Sequence, residues 1–220
     1  MTGPDRPAAQ RALDHYGQVW DWRRQMQALY ETVRRSQDPV QAWCHWRDSR
    51  DRLFAGHPQS PLSPAQRRHF SGLSYFDYDP EMRFSVGLIP ASDAAAEVQD
   101  LGGGHSLRLI PFARTCGLSP KLEREGLLYW LDGYAGGCFF AFRDDTSGGE
   151  THSDGRFLLD TIKSADLGEA DGQLIVDFNF AHHASCAYQD NPHWICPVAP
   201  AANHFPPAIR AGERFPRSGG

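Results

Sequence analysis

Two stretches of the chain concentrate the side chains able to do chemistry. The first is Phe142-Arg-Asp-Asp-Thr-Ser-Gly-Gly-Glu-Thr-His-Ser-Asp-Gly-Arg-Phe157, a dense polar run between two apolar ones. As a solvated connection it would be an ordinary turn rich in Asp, Ser, Thr and Gly. Folded inward, it would offer Arg143 and Arg156 to an anionic group, and Glu150 or His152 to move a proton. The second stretch is Val176-Asp-Phe-Asn-Phe-Ala-His-His-Ala-Ser-Cys-Ala-Tyr-Gln-Asp-Asn-Pro-His-Trp-Ile-Cys-Pro197. On a strand, Asp177 and Asn179 share one face, opposite Val176, Phe178 and Phe180. His182, His183, Cys186, His193 and Cys196 follow, all potential metal ligands. Their spacing forms no zinc knuckle, and adjacent histidines in an extended chain point apart, so one ion could hold both only across a turn. Neither Cys186 nor Cys196 opens a helix that would stabilise a thiolate, which counts against a cysteine nucleophile. The chain has no Gly-x-Ser-x-Gly elbow. Leu101-Gly-Gly-Gly-His105 lacks the Lys-Ser/Thr of a phosphate loop and reads as a flexible connection.

The elements that must position these groups change character along the chain. Residues 1–57 read as a helical segment. One helix is expected over Ala8–Arg35, with Tyr16, Val19, Trp20, Met26, Leu29, Tyr30 and Val33 as its apolar stripe. A second follows the Asp38-Pro39 cap, carries Trp43, Trp46, Arg47, Arg50 and Leu53 at spacings of three and four, and ends at Gly56. His57 to Pro64 is a proline-rich bend, with a helical turn expected at Pro64–Phe70. Residues 58–220 then read as β-rich. Strands are expected at Met82–Ile89, Leu107–Pro111, Leu127–Leu131, Cys138–Phe142, Arg156–Ile162 and Leu174–Phe180. The expected fold is α+β: N-terminal helices packed on a small antiparallel β-barrel or β-sandwich, one compact unit, with the proline-rich tail from Asn191 wrapping the sheet.

Composition narrows the function classes. The 220 residues carry a net charge of −5, with 40% hydrophobic and 22% charged side chains, which fits a packed globular protein. A basic surface for nucleic acid is not expected. No apolar run reaches the roughly 20 residues of a membrane span. The first residues have no secretory pattern, so a cytoplasmic address is expected. Five cysteines, an odd number, fit reduced thiols better than a disulfide framework, and whether Cys186 and Cys196 pair is left open.

The residues between positions 40 and 215 resemble DUF1684, a bacterial and archaeal family defined as a domain of unknown function. The resemblance runs through Trp43-Cys-His-Trp-Arg47, Ser60-Pro-Leu62, Phe70-Ser-Gly-Leu-Ser-Tyr-Phe-Asp-Tyr-Asp-Pro80 and Arg83-Phe84. It is strongest at Phe142–Thr151 with Gly155-Arg156, Asp177-Phe-Asn179, Cys186-Ala-Tyr188, Cys196-Pro197, Asn203 and Ala211-Gly-Glu213. It implies a site location but no established activity. Departures from the family pattern introduce imidazoles. His152 stands where the family has Tyr, and His182-His183 replace a Tyr-Asn pair; Phe157 replaces Tyr and Ala202 replaces Glu. Imidazole titrates near neutrality and binds metals, so these changes could alter the chemistry.

The leading expectation is a cofactor-free acid–base enzyme acting on a small polar molecule, for example a carboxylate, by hydrolysis, elimination or cyclisation. Glu150, His152 or Asp177 would move the proton. Arg143, Arg156, Asn179, Tyr188 and Asn203 would hold the substrate. The first alternative is a non-catalytic pocket for a ligand or partner, with Arg143–Glu150 and Arg156–Asp177 as buried ion pairs holding loops. The second is a metalloenzyme using zinc or iron on His152, His182, His183 and Cys186. All three require the segments around 143–156 and 177–203 to meet about one hollow.

Overall fold

The computed structural model describes residues 8–134, 136–188 and 196–215, so His193 and the expectations about the first residues lie outside it. Helix α1 spans Ala8–Arg35 and helix α2 spans Pro39–Gly56. The Asp38 side chain caps α2 by accepting from the amides of Val40 and Gln41, with Pro39 in its first turn. Gly56 is the last helical residue and does not take the left-handed conformation expected of it; His57 closes the helix in an extended conformation. Met26, Leu29, Tyr30 and Val33 are buried, but Tyr16 and Trp20 are exposed, so only the C-terminal half of the expected α1 stripe meets the core. A short helix, α3 (Pro64–Arg68), sits behind a capping box made by Ser63 and Gln66.

The β-rich part comprises β1 (Ser74–Tyr75), β2 (Arg83–Pro90), β3 (Glu97–Gly102) and β4 (His105–Cys116), then β5 (Leu127–Asp132), β6 (Gly137–Phe142) and β7 (Arg156–Asp160), and finally β8 (Glu169–Ala170), β9 (Gln173–Asp177) and β10 (Glu213–Arg214). A one-turn helix, α4 (Ser119–Leu122), joins β4 to β5. The main sheet is antiparallel in the order β7-β6-β5-β4-β2-β9-β8, with β3 paired beside the long β4, and it curls into a half-barrel. The fold is therefore α+β, with N-terminal helices beside a barrel-like sheet.

Strand β3 lies outside the expected strands. The glycine run that reads as a flexible connection is instead the turn of the β3–β4 hairpin, where Gly102, Gly103 and Gly104 all have positive φ. The expected strand Leu174–Phe180 stops at Asp177, whose side chain accepts from the Asn179 amide and starts a 3-10 turn over Phe178–Phe180. Asp177, Phe178, Asn179 and Phe180 are consequently all buried, rather than divided between two faces.

The sheet is filled by Phe140, Phe142, Leu158, Val176, Phe178, Phe205 and Ile209. Phe139, Tyr129, Leu131 and Phe157 pack in a separate cluster, so β6 and β7 are covered on both sides while Trp130 of β5 stays exposed. The helices join through Trp46, whose ring meets Phe180 at 5.3 Å and Tyr75 at 5.7 Å, and through the Trp43 indole N–H, which donates to the Asn179 carbonyl. The C-terminal segment is less irregular than expected: Ala201–Asn203 form a 3-10 turn, and β10 pairs with β1.

Candidate functional site

The two polar stretches do meet. Phe157 and His182 exchange backbone hydrogen bonds, Ala199 N–H donates to the Asp154 carbonyl, and Arg143 pairs with the 203–205 segment. What the meeting produces differs from the expectation, because most of the ionisable ends are spent on one another.

The loop after β6 folds inward around Asp144. This carboxylate accepts from the Thr146 hydroxyl at 2.9 Å, the Ile209 amide at 2.6 Å and the Arg156 guanidinium at 3.3 Å. Arg156, fully buried at the start of β7, also donates to the carbonyls of Ile209, Ala211 and Glu213. Its fork stitches the C-terminal segment to the sheet, and no face of it is open to an anion. Asn203 is spent in the same way. Its amide N–H groups donate to the carbonyls of Leu127 and Ala141, and its carbonyl accepts the Leu127 amide. Asn179 clasps Asp79 through both of its backbone groups and donates to Asp177. Asp177 is buried, and burial raises its pKa against the opposing bonds from Asn179 and Arg83.

The ion pairs expected of a binding pocket are therefore corrected. Arg156 pairs with Asp144 rather than Asp177; Asp177 pairs with Arg83 at 3.0 Å, and Glu150 pairs at the surface with Arg210 at 2.8 Å, not with Arg143. Arg143 is half-buried with its Nε unpartnered. The partners lie on segments whose apposition no local spacing reveals.

A second cluster is less settled. His183 is buried, donates its backbone N–H to Glu213 Oε2 and accepts the His152 amide on Nε2. With Nε2 accepting, the neutral ring carries its proton on Nδ1. That Nδ1 has no hydrogen-bond partner and lies 3.9 Å from Glu213 Oε1. Burial, with the Arg156 charge behind it, pulls the His183 pKa down to about 2. Burial pushes Glu213 up to about 7, against the opposing pull of Arg50, which bonds its Oε2 at 2.8 Å. Arg50 also reaches the Tyr75 hydroxyl and lies over the Trp46 ring. Gly212 aims this carboxylate. Its φ is +78°, and a Cβ there would meet the carbonyl oxygens of Phe178 and Ala181 at 2.6 Å. His152 and Tyr188 flank His183, each with its ring centroid 6.3 Å away, and the Tyr188 hydroxyl is buried without a partner. His182 points elsewhere, toward Trp46 and Phe157, and burial lowers it to about 3.

Arg50 and Glu213 are not among the expected site residues. An arginine on the buried stripe of α2, and a glutamate inside the Ala211-Gly-Glu213 motif, are the signals that could have linked them. Among the described residues, no three His, Cys, Asp or Glu side chains come together as a metal ion requires. His152, His182, His183 and Cys186 do not form the set that the metal alternative needs.

A separate cleft of about 710 Å³ lies between α1, the 58–67 segment, Lys163 and Ser185, and none of the expected site residues lines it. Val19, Trp22, Met26 and Leu62 form its apolar wall; His15, Arg23, Arg67 and Lys163 bring nitrogen to it, and no Asp or Glu is among its described lining residues. It joins the His183 cluster through Phe54, whose ring touches both Trp22 (6.1 Å) and Tyr188 (5.0 Å), while Gln66 of α3 donates to the Tyr188 carbonyl.

Comparison with known proteins agrees with the fold but supplies no activity. The chain is similar to an uncharacterised protein of Haloarcula marismortui, solved in solution by NMR, at 30% identity and a TM-score of 0.53 over 82% of this chain and 95% of that one. No curated protein matches. The model of the family described as protein of unknown function (DUF1684) matches residues 68–214; Trp43–Arg47 and Ser60–Leu62, which also bear the resemblance, precede that range. Covering well over half of the sequence, this match makes the chain a member of the DUF1684 family.

Proposed function

We propose that the protein binds a small molecule with an apolar body and a negatively charged group in the cleft between α1 and the 58–67 segment. The observation that carries this reading is the lining: an apolar wall with a basic rim and no carboxylate among its described residues. The volume falls in the range of roughly 300–1,000 Å³ usual for small-molecule sites. Calorimetric titration with straight-chain carboxylates and the matching primary alcohols tests it. The carboxylates should bind in a saturable one-to-one manner and the alcohols more weakly. The Arg23→Ala/Arg67→Ala double variant should erase that difference. Equal, non-saturable uptake of both series would remove the reading.

A second reading, acid–base catalysis, is favoured by one observation: Glu213 is a buried carboxyl raised to about 7, facing a neutral imidazole. Such a group could exchange a proton near neutrality. This moves the proton-transferring role from Glu150 and Asp177, which are held by Arg210 and Arg83, to Glu213 with His183. Once a turnover assay exists, its pH profile should show a limb near 7 that Glu213→Gln abolishes. Unchanged turnover in that variant would leave the binding reading alone.

A further inference from the structure

A groove of about 580 Å³ runs between helices α1 and α2, and the binding reading does not use it. Pro58 borders both the groove and the cleft, and the Trp22 ring of the cleft wall meets the His57 ring of the groove at 5.1 Å. Spacing along the sequence makes the groove. His45, Ser49, Arg52 and Gly56 recur every three or four residues and so share one face of α2. Gln25, Ala28, Leu29 and Thr32 do the same on α1. Ala28, Ser49 and Gly56 are small, which leaves space where longer side chains would interlock. A Cβ at Gly56 would meet nothing within 4 Å, and the buried Leu29 and Leu53 form the floor.

The two walls differ in hydrogen-bonding sense. On α2, Arg52 spends one terminal nitrogen on the Ser49 hydroxyl at 2.8 Å. Its other N–H groups, the Ser49 proton and the exposed His45 ring are left to donate. On α1, the Gln25 amide nitrogen donates to Asp21 at 2.7 Å and the Thr32 hydroxyl to the Ala28 carbonyl at 3.0 Å. That leaves the Gln25 carbonyl and the Thr32 oxygen to accept. His57 closes one end with both ring nitrogens occupied: Nδ1 accepts the Gln59 amide, and Nε2 lies 3.1 Å from Asp21. No Asp or Glu is among the described residues lining the groove.

We propose that this groove is a second small-molecule site, which takes a phosphate monoester of a hydroxylated body, such as a sugar phosphate. The phosphoryl group lies at Ser49 between Arg52 and His45, and hydroxyl groups of the body donate to Gln25 and Thr32. A phosphate brings nearly two negative charges and three acceptor oxygens, which suit three separate donors along one helix face. A carboxylate prefers the intact arginine fork, and one arm of the Arg52 fork is already given to Ser49. The assignment is independent of the cleft's ligand, which needs an apolar body and no hydroxyl groups.

The test titrates the isotope-labelled full-length protein with glucose 6-phosphate, glucose and inorganic phosphate, following amide NMR signals. Glucose 6-phosphate should give saturable shifts at Ala28, Thr32, Ser49, Arg52 and Gly56. Inorganic phosphate should reach Ser49 and Arg52 at lower affinity, and glucose should not saturate. Arg52→Gln should weaken glucose 6-phosphate about tenfold. Gly56→Leu, at a position with no positive φ, should fill the open end and abolish binding while the rest of the spectrum stays that of the wild type. Shifts centred on Arg23, Leu62 and Arg67 would place the sugar phosphate in the cleft and overturn the proposal. So would glucose or inorganic phosphate binding as tightly as the ester, or no saturable shift at all. The wild-type titrations decide between these outcomes even if a variant fails to fold.

Discussion

The Asp144–Arg156 knot and the His183–Glu213 cluster are built from neighbouring parts of the same segments, yet they differ in how completely their polar atoms are used. Around Arg156, both terminal nitrogens of the guanidinium, the Asp144 carboxylate and the Ile209 backbone are bonded to one another, and the Arg156 Nε is the one knot atom buried without a partner. Around His183, an imidazole N–H and a tyrosine hydroxyl are buried without partners, and a carboxyl sits near 7. Buried polar groups are normally satisfied, because an unmade hydrogen bond costs about 1–3 kcal/mol. The first region therefore behaves as scaffold. The second carries the cost that functional sites tend to carry.

Variants can break or sharpen this contrast. The largest effect is expected in the knot. Asp144→Ala leaves Arg156 charged and uncompensated in the interior, which should cost about 3–5 kcal/mol and is read by urea denaturation. Survival with less than about 1 kcal/mol lost would mean that the pair is not structural. Asn203→Ala strips three bonds from the β5–β6 edge and should cost about 3 kcal/mol by the same measurement.

His183→Gln should act on the pH dependence instead. With its folded pKa lowered to about 2 against 6.5 unfolded, His183 makes the unfolded chain the better proton binder, so stability is lost as pH falls below 6.5. His182, lowered to about 3, acts in the same sense. Glu213, raised to about 7 from 4.5, acts in the opposite sense, its contribution falling as pH rises between those values. Asp177, also raised by burial, acts in the same sense as Glu213, so the contribution of His183 is read from the difference in slope between the wild type and His183→Gln. Removing His183 should flatten the slope by about 1.4 kcal/mol per pH unit. The smallest effect on folding belongs to the cleft: Arg23→Ala with Arg67→Ala should shift stability by no more than about 0.5 kcal/mol each while lowering carboxylate affinity about tenfold.

The same contrast explains what is legible in the sequence alone. Helix α2 announces itself through Asp38-Pro39 and the Trp43/Trp46/Leu53 spacing, and most strands through short apolar runs, because those signals are local. Strand β3 escapes such a reading because Glu97–Gly102 alternates without an apolar run and one face of it meets solvent. The convergence of 143–156 with 177–203 is legible from the family motifs. Which carboxylate each arginine takes is not, since Asp144, Arg83, Arg210 and Glu213 are matched by sheet topology across as many as 163 positions. The cleft is invisible for a related reason: Trp22, Arg67 and Ser185 are unremarkable one by one and meet only when α1 lies over the 58–67 bend.

The proposed division between a structural knot and a ligand-binding cleft is tested most directly by titrating the isotope-labelled protein with octanoate and following its amide and indole NMR signals. Saturable shifts are predicted at Val19, the Trp22 indole, Leu62, Ser63 and Arg67, with Asp144, Arg156 and Asn203 unmoved. Shifts centred on the 144–156 loop, or none that saturate, would contradict that division.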